Sequence, residues 1–522
     1  MSNRGAVACG HPETAAAVEE ILSDGGNAFD GVLAGLCASC VAEPVLSSLG
    51  GGGFLLARDA DGEASLYDFF VDTPRRRRPA EEALFYPVHV DFGTATQAFH
   101  IGLGATAVPG VIKGLFRIHR DLCSLPLSRV LAPAIRLARR GVVLRPVDAY
   151  LIEVVSPILT AEPEAAAVYA REGGALLVAG DRLRQPDLAE CFEALLRDGE
   201  DFLYGGGDLG CLLLNACRER GGHLSQEDLS GYDVARRKVF SWRYRDAEIL
   251  TNPPPSAGGI LIGFALELLS SIDNETGNGG EGCEVSRLKV LGRVMALTNR
   301  ARLQTALDEN LHVEGEATRR LYSPDLLERY RREVAAAPPA DRGTTHISVV
   351  DAQGNVAAMS LSNGEGCGHM LPGSGVMPNN MLGEEDLNPG GKTGWRENCR
   401  MSSMMAPTVV TRSDGGLIGL GSGGSNRIRT AILQVLVNLL DRDMALAEAV
   451  EAPRLHVEGS VANVEGGLGA PDLAAIGEGL ETLLPWPEHN LFFGGVHSVS
   501  RSADGTVDAA GDPRRGGAAR VL

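Results

Sequence analysis

Gly343-Thr344-Thr345-His346-Ile347-Ser348-Val349-Val350-Asp351 is the stretch on which the reading of this chain turns. A small residue precedes two hydroxyl residues, and an alternating run then predicts a buried strand. The preceding Arg331 to Arg342 is Ala/Pro-rich, polar at its ends and without alternation, which predicts an exposed connection. An exposed leader running into a strand that starts with Thr allows one particular chemistry. If the Gly343–Thr344 bond opens, Thr344 gains a free α-amine, whose ordinary pKa near 8 suits it to act as base for its own hydroxyl. Alone, the stretch reads more simply as an ordinary strand start, so the surrounding chain must decide.

The 522 residues suffice for a large core, and 44 % hydrophobic with 22 % charged residues is ordinary for a globular protein. A net charge of −19 repels phosphate backbones and disfavours nucleic-acid binding. No apolar run reaches membrane-spanning length, and the segment before Pro12 lacks the apolar core of a signal peptide. A cytoplasmic protein without a membrane partner is therefore expected. Cys37 and Cys40 form a C-x-x-C inside an Ala/Leu/Val-rich helical stretch with no second pair at zinc spacing, and both read as small buried residues.

Outward from Thr344, Thr345 to Val350 and Asn355 to Leu361 predict a hairpin, and Leu66 to Phe70 a strand paired with Phe54 to Ala57. Pro407 to Thr411 and Leu417 to Leu420 predict strands, as do Arg454 to Val457, Val461 to Val464 and Val496 to Ser500. Helices are expected over Ile260 to Ser271, Arg287 to Leu307, Ile428 to Leu440 and Leu473 to Leu484, and residues 112–245 read as mainly helical scaffold. Gly50 to Gly53 permits either an anion cradle or close backbone packing. Arg75 to Arg78 reads as a solvated face or as a carboxylate holder, and Gly383 to Trp395 as a lid or a plain loop.

Several short motifs recur in a fixed order: Gly25-Gly26-Asn27-Ala28, Glu43-Pro44 before Gly50 to Gly53, and Val108-Pro109-Gly110. Pro253-Pro254-Pro255-Ser256-Ala257-Gly258-Gly259, Thr344-Thr345-His346, Asn379-Asn380 and Arg400-Met401-Ser402-Ser403-Met404 follow. Gly421-Ser422-Gly423-Gly424 and Asp512-Pro513-Arg514-Arg515-Gly516 complete the series. In this order the chain resembles the γ-glutamyltranspeptidases, members of the N-terminal-nucleophile hydrolases, over nearly its whole length. The resemblance implies an α+β fold, a four-layer αββα sandwich. It also implies self-cleavage before Thr344 into a large subunit, 1–343, and a small one, 344–522, that stay together. Thr344 then corresponds to the nucleophile and Ser362 to the assisting hydroxyl. Gly423 and Gly424 correspond to the oxyanion-hole pair, and Ser402 and Ser403 to the serines that hold a glutamyl α-carboxylate.

Departures cluster on substrate recognition. Phe70 follows Asp68-Phe69 where the family carries arginine, and Gly364 falls where it carries asparagine, flanked by Asn363 and Glu365. Glu384 or Glu385 stands for the aspartate that grips the substrate amine. The expected activity is acyl transfer from a γ-glutamyl amide to water or an amine, with no metal or cofactor required. Two alternatives remain: an amidase or acylase on another acyl group, and an unprocessed binding homologue. His346 is expected to be structural.

Overall fold

The computed structural model describes residues 4–91, 96–171, 173–270, 282–333, 344–384, 387–388, 391–459, 461–477 and 481–522. Two antiparallel sheets face each other. The first has seven strands in the order Ala518–Val521, Gly5–Cys9, Thr345–Asp351, Val356–Ser362, Gly52–Arg58, Ala64–Phe69, Ala235–Arg237. The second has six, in the order Val507–Ala510, Gly495–Arg501, Leu417–Gly423, Thr408–Thr411, Ala247–Thr251, Phe240–Tyr244. Strands Thr345–Asp351 and Val356–Ser362 lie across Leu417–Gly423 and Gly495–Arg501, forming the inner contact. Helices Pro12–Ser23 and Ala28–Ala42 cover the outside of the first sheet, and Gly258–Ser270 and Arg427–Leu440 the outside of the second. The result is the αββα sandwich.

Side-chain alternation produces these layers. In the central hairpin Val350, Val356 and Ala358 enter the core between the sheets. Their neighbours Ile347, Val349, Ala357 and Met359 enter the core beneath the helices. Each central strand is buried on both faces, so it must be apolar on both. Helix Ala28–Ala42 is buried along its whole length and starts with a capping box, in which Asn27 accepts from the backbone of Asp30 and Asp30 accepts from Asn27 N. Asp351, at the end of strand Thr345–Asp351, accepts from Ala28 N at 2.9 Å and from Gln353 N and Asn355 N at 3.0 Å, tying the hairpin turn to that helix.

The Gly50 to Gly53 run serves close packing. A Cβ on Gly52 would lie 2.9 Å from Val71 N, and one on Gly53 2.5 Å from Ser360 O. The first half of the arginine run, Arg75 and Arg76, is exposed, whereas Arg77 donates to the carbonyls of Thr393 and Trp395 and Arg78 N donates to His223. Cys37 and Cys40 are buried and unoxidised, as read.

Some expectations need correction. Arg331 to Glu333 end the helix Pro324–Glu333 rather than open a connection, because the apolar positions Leu326, Leu327 and Tyr330 pack on the core. Residues 334–343, including Gly343, lie outside the described residues. Leu473 to Leu484 is not one helix: Ala470–Gly477 is helical and Thr482–Pro485 is a strand parallel to Val461–Val464. The inner strand Gly5–Cys9 and the edge strand Ala518–Val521 were not foreseen, nor was the hairpin Tyr86–Asp91 with Thr96–Ile101.

Candidate active site

Thr344 stands at the mouth of the sandwich, one residue before strand Thr345–Asp351, and is 4 % exposed. Thr345 pairs with Leu361, so extending the ladder by one pair sets Thr344 opposite Ser362. Both line a cleft of about 300 Å³, with Glu384, Ser403 and Ser425 as its other polar residues. Ser362 Oγ accepts from Gly364 N at 3.1 Å, which orients the hydroxyl at the strand end. Beyond it the chain turns at Gly364, whose φ of +62° suits glycine.

Gly423 packs against the Thr344 carbonyl so closely that any Cβ there would overlap it. This is the close approach that the glycine pair makes possible. Gly423 ends strand Leu417–Gly423 opposite Gly495, and Gly424 follows with φ +122°. Thr344 and Gly423 thus come together although they belong to different sheets; Gly423 and Gly424 themselves are not among the residues lining the cleft.

Ser403 reaches the cleft through a fitted support. Its carbonyl accepts from Ser256 Oγ at 2.9 Å and from Ala257 N at 2.8 Å, and a Cβ on Gly258 would overlap the Met404 carbonyl. That is the work of the Pro/Ser/Gly motif. Ser403 Oγ accepts from Met405 N at 3.0 Å, whereas Ser402 is half-buried and does not line the cleft. Asn379 Nδ2 donates to the carbonyls of Gly50 and Ala107, and its Oδ1 accepts from Ala107 N, so it fastens three loops together.

Asn363 and Glu365 were expected at the substrate but are buried outside the cleft lining. Asn363 Nδ2 donates to Met377 O at 3.3 Å, and Glu365 N donates to Asn380 Oδ1 at 3.0 Å. The turn at Gly364 directs both residues into the loop packing. Glu384 is 7 % exposed and lines the cleft; Glu385 lies outside the described residues.

The remaining wall consists of Phe70, Met381, Leu387, Met404, Met405 and Ile428. Phe70 stacks on Phe54 with ring centroids 5.4 Å apart and donates its backbone N–H to Asp68. Among the described residues, no arginine or lysine lines this cleft. The nearby Arg400 is committed elsewhere: it binds Asp68 at 2.7 Å and Asp72 at 2.6 Å and lies over the Tyr232 ring.

His346 is wholly buried between the sheets, within hydrogen-bonding distance of Ser360 Oγ (2.8 Å) and Ser348 Oγ (2.9 Å). Ser348 spends its proton on the His497 carbonyl, so His346 Nε2–H donates to Ser348 and Nδ1 accepts from Ser360. Burial holds His346 well below its ordinary pKa, aided by His497, so it stays neutral. The ring is a structural link between the sheets, and a Cβ on Gly421 would overlap it.

A gamma-glutamyltranspeptidase family model matches residues 14–522. The chain belongs to the gamma-glutamyltranspeptidase family. Within it, the chain is 32 % identical to the acylase ACY 1 proenzyme of Pseudomonas sp. (strain SE83), over 97 % of this chain and 92 % of that one. It is 29 % identical to the glutathione hydrolase proenzyme of Escherichia coli (strain K12), over 95 % of this chain and 88 % of the other. The cephalosporin acylase from Bacillus halodurans has the same fold, with a TM-score of 0.83 at 22 % identity, covering 99 % of this chain and 96 % of that one. Family membership makes this protein an enzyme.

Motif reading had brought Thr344, Ser362, Gly423, Gly424, Ser403 and Glu384 into view. It missed the methionine wall, Ser425 and Arg515, whose Nη1 donates to the Thr344 carbonyl at 3.3 Å. The second arginine of the Asp512 to Gly516 motif was the available signal for Arg515.

Proposed function

We propose that the protein is a self-processing amide hydrolase whose Thr344 carries an acyl group with an apolar chain. One observation carries this reading: the cleft beside Thr344 has Phe70 and five further apolar side chains on its wall, and among the described residues no basic side chain lines it. A glutamyl α-carboxylate placed there would lose its hydration without gaining a cation, which is unfavourable. An alkyl or aryl acyl chain would gain by leaving water.

The chemistry comes from Thr344 itself. In the precursor its Oγ attacks the Gly343 carbonyl, the peptide nitrogen becomes the α-amine, and water hydrolyses the resulting ester. That gives pieces 1–343 and 344–522. Their strands alternate within the first sheet, where Thr345–Asp351 lies beside Gly5–Cys9, so the pieces would stay together. In the mature enzyme the amine takes the Oγ proton while Oγ attacks the substrate amide. The amides of Gly423 and Gly424 would face the oxyanion, an effect typically worth about 3 kcal/mol per donor. The leaving amine takes the proton back, and water or an amine then releases the acyl group.

A second reading, γ-glutamyl transfer, is favoured by Ser403 and Glu384, which line the cleft where that family's glutamate-binding groups are expected. Parallel assays on a γ-glutamyl anilide and on hexanoyl and phenylacetyl anilides of the same leaving group test the choice. Higher kcat/KM on the apolar acyl anilides is expected. Preference for the γ-glutamyl anilide would overturn the acyl assignment and leave the nucleophile standing.

A further inference from the structure

Arg515 differs from the arginines around it. Arg514 meets Glu465 at 2.8 Å, and Arg454 meets Asp512 at 2.6 Å, so both charges are matched inside the protein. Among the described residues Arg515 has no carboxylate partner. Its guanidinium donates only to two backbone carbonyls, Thr344 O and Leu491 O, each at 3.3 Å, and its Nε is buried without an acceptor. Its methylene stem lies on Gly495, where a Cβ would stand 2.5 Å from Cδ.

The head of the side chain lies against the oxyanion-hole candidates. A Cβ built on Gly423 would stand 3.4 Å from Arg515 Nη1, and one on Gly424 3.3 Å from Nη2. One cation therefore donates to the Thr344 carbonyl and lies on the side of both glycines where a side chain would project. Burial pulls its pKa down to about 10, with Arg427 adding to the effect and Asp512 and Glu43 opposing it, so the group stays charged at neutral pH. A buried cation that no carboxylate bonds directly is costly to the fold, and Asp512 and Glu43 offset only part of that cost. A negative charge formed beside it during the reaction would offset more.

We propose that Arg515 is a positioning residue for the reaction: its unmatched guanidinium holds the Thr344 carbonyl and makes the potential at Gly423, Gly424 and the Thr344 amine positive. The proposal rests on Thr344 being the nucleophile. It has two consequences. The tetrahedral oxyanion is favoured, which raises kcat. The Thr344 ammonium is disfavoured, so the amine is already a free base near neutral pH. Other charges bear on the same end of the sandwich. Arg427 acts in the same sense as Arg515, Glu384 and Glu43 oppose it, Asp512 is bound to Arg454, and His497 is held neutral by burial.

The test uses the full-length protein and the variants Arg515→Gln and Arg515→Lys. N-terminal sequencing first establishes that each has matured at Thr344. Kinetics on the preferred anilide then give kcat, KM and the pH dependence of kcat/KM. For Arg515→Gln we expect kcat to fall about 10- to 100-fold with KM within about twofold. The acid limb should move up by about one pH unit, because the amine regains its proton more readily. Arg515→Lys should keep the limb near its wild-type position and recover most of kcat. A Gln variant with wild-type kcat and pH limb would overturn the proposal. So would Gln and Lys variants that lose activity equally while their melting temperatures fall together. If the Gln variant does not mature, the Lys variant decides: an unmoved limb with at least about a tenth of kcat supports the proposal, and a larger loss contradicts it. Activity surviving in Thr344→Ala would instead sink the nucleophile assignment, an outcome separate from these.

Discussion

Gly364 is a position beside the cleft where one added methyl group should be costly on two counts. Its φ is +62°, in the left-handed region, and a Cβ there would overlap Asn380 Oδ1 and lie 2.5 Å from Glu384 Oε1. Gly364→Ala therefore incurs two costs. The backbone term for an L-residue in that conformation is about 1–2 kcal/mol. The second term is displacement of Asn380, whose Oδ1 accepts from the buried Glu365 N at 3.0 Å; leaving that N–H unpaired costs about 1–3 kcal/mol. Together they predict a loss of about 2–5 kcal/mol in unfolding free energy. Gly364→Asn restores the residue type usual in the family and relieves part of the backbone term, since asparagine tolerates that region, yet meets the same obstruction. Urea denaturation of the two variants gives the measurement. A change below about 0.5 kcal/mol in both would refute the claim that Asn380 and Glu384 are packed onto this glycine.

Two further outcomes follow from buried charge. Burial holds His497 at about 4, below the ordinary 6.5, so the folded state prefers the neutral ring. Its contribution is fully present above pH 6.5 and is lost as pH falls towards 4, about 3 kcal/mol in all; denaturation midpoints that do not change between pH 7 and pH 4.5 would contradict this. Asp512→Asn removes the carboxylate that Arg454 meets at 2.6 Å and Arg514 at 3.3 Å, stranding the buried Arg454 guanidinium while Arg514 keeps Glu465. A loss of about 3–5 kcal/mol is expected in calorimetry, and a melting temperature within a degree of wild type would count against the network's role.

The sandwich was legible where alternation was long. Thr345 to Asp351 and its hairpin partner carry enough alternating residues to show both faces, and Arg427–Leu440 is apolar enough to be seen as a buried helix. Gly5–Cys9 and Ala518–Val521 were not legible, because five or four residues without a turn signal do not reveal a pairing that spans the whole chain. The segment 473–484 misled for a related reason: its apolar residues fit a helix, but pairing with Val461–Val464 draws the second half into a strand. Within the site, motif order pointed to Thr344, Ser362 and the glycine pair as candidates. The apolar wall stayed hidden because Leu387, Met404 and Met405 lie in loops and Met381 in a single short helical turn, where no periodicity marks which side chains converge. Phe70 was visible only as a departure from the family, and its meaning came from the wall around it. Arg515 acquires its position from the topology, which returns the C-terminal turn to the start of the Thr345 strand.

Everything chemical here depends on a new chain end. The most direct measurement is intact-mass analysis with N-terminal sequencing of the purified protein, wild type beside Thr344→Ala. Wild type should give two fragments, one beginning Thr-Thr-His-Ile, and the Ala variant a single chain without amidase activity. A wild-type chain that stays whole while it turns over an anilide, or an Ala variant that still cleaves at Gly343, would contradict the account.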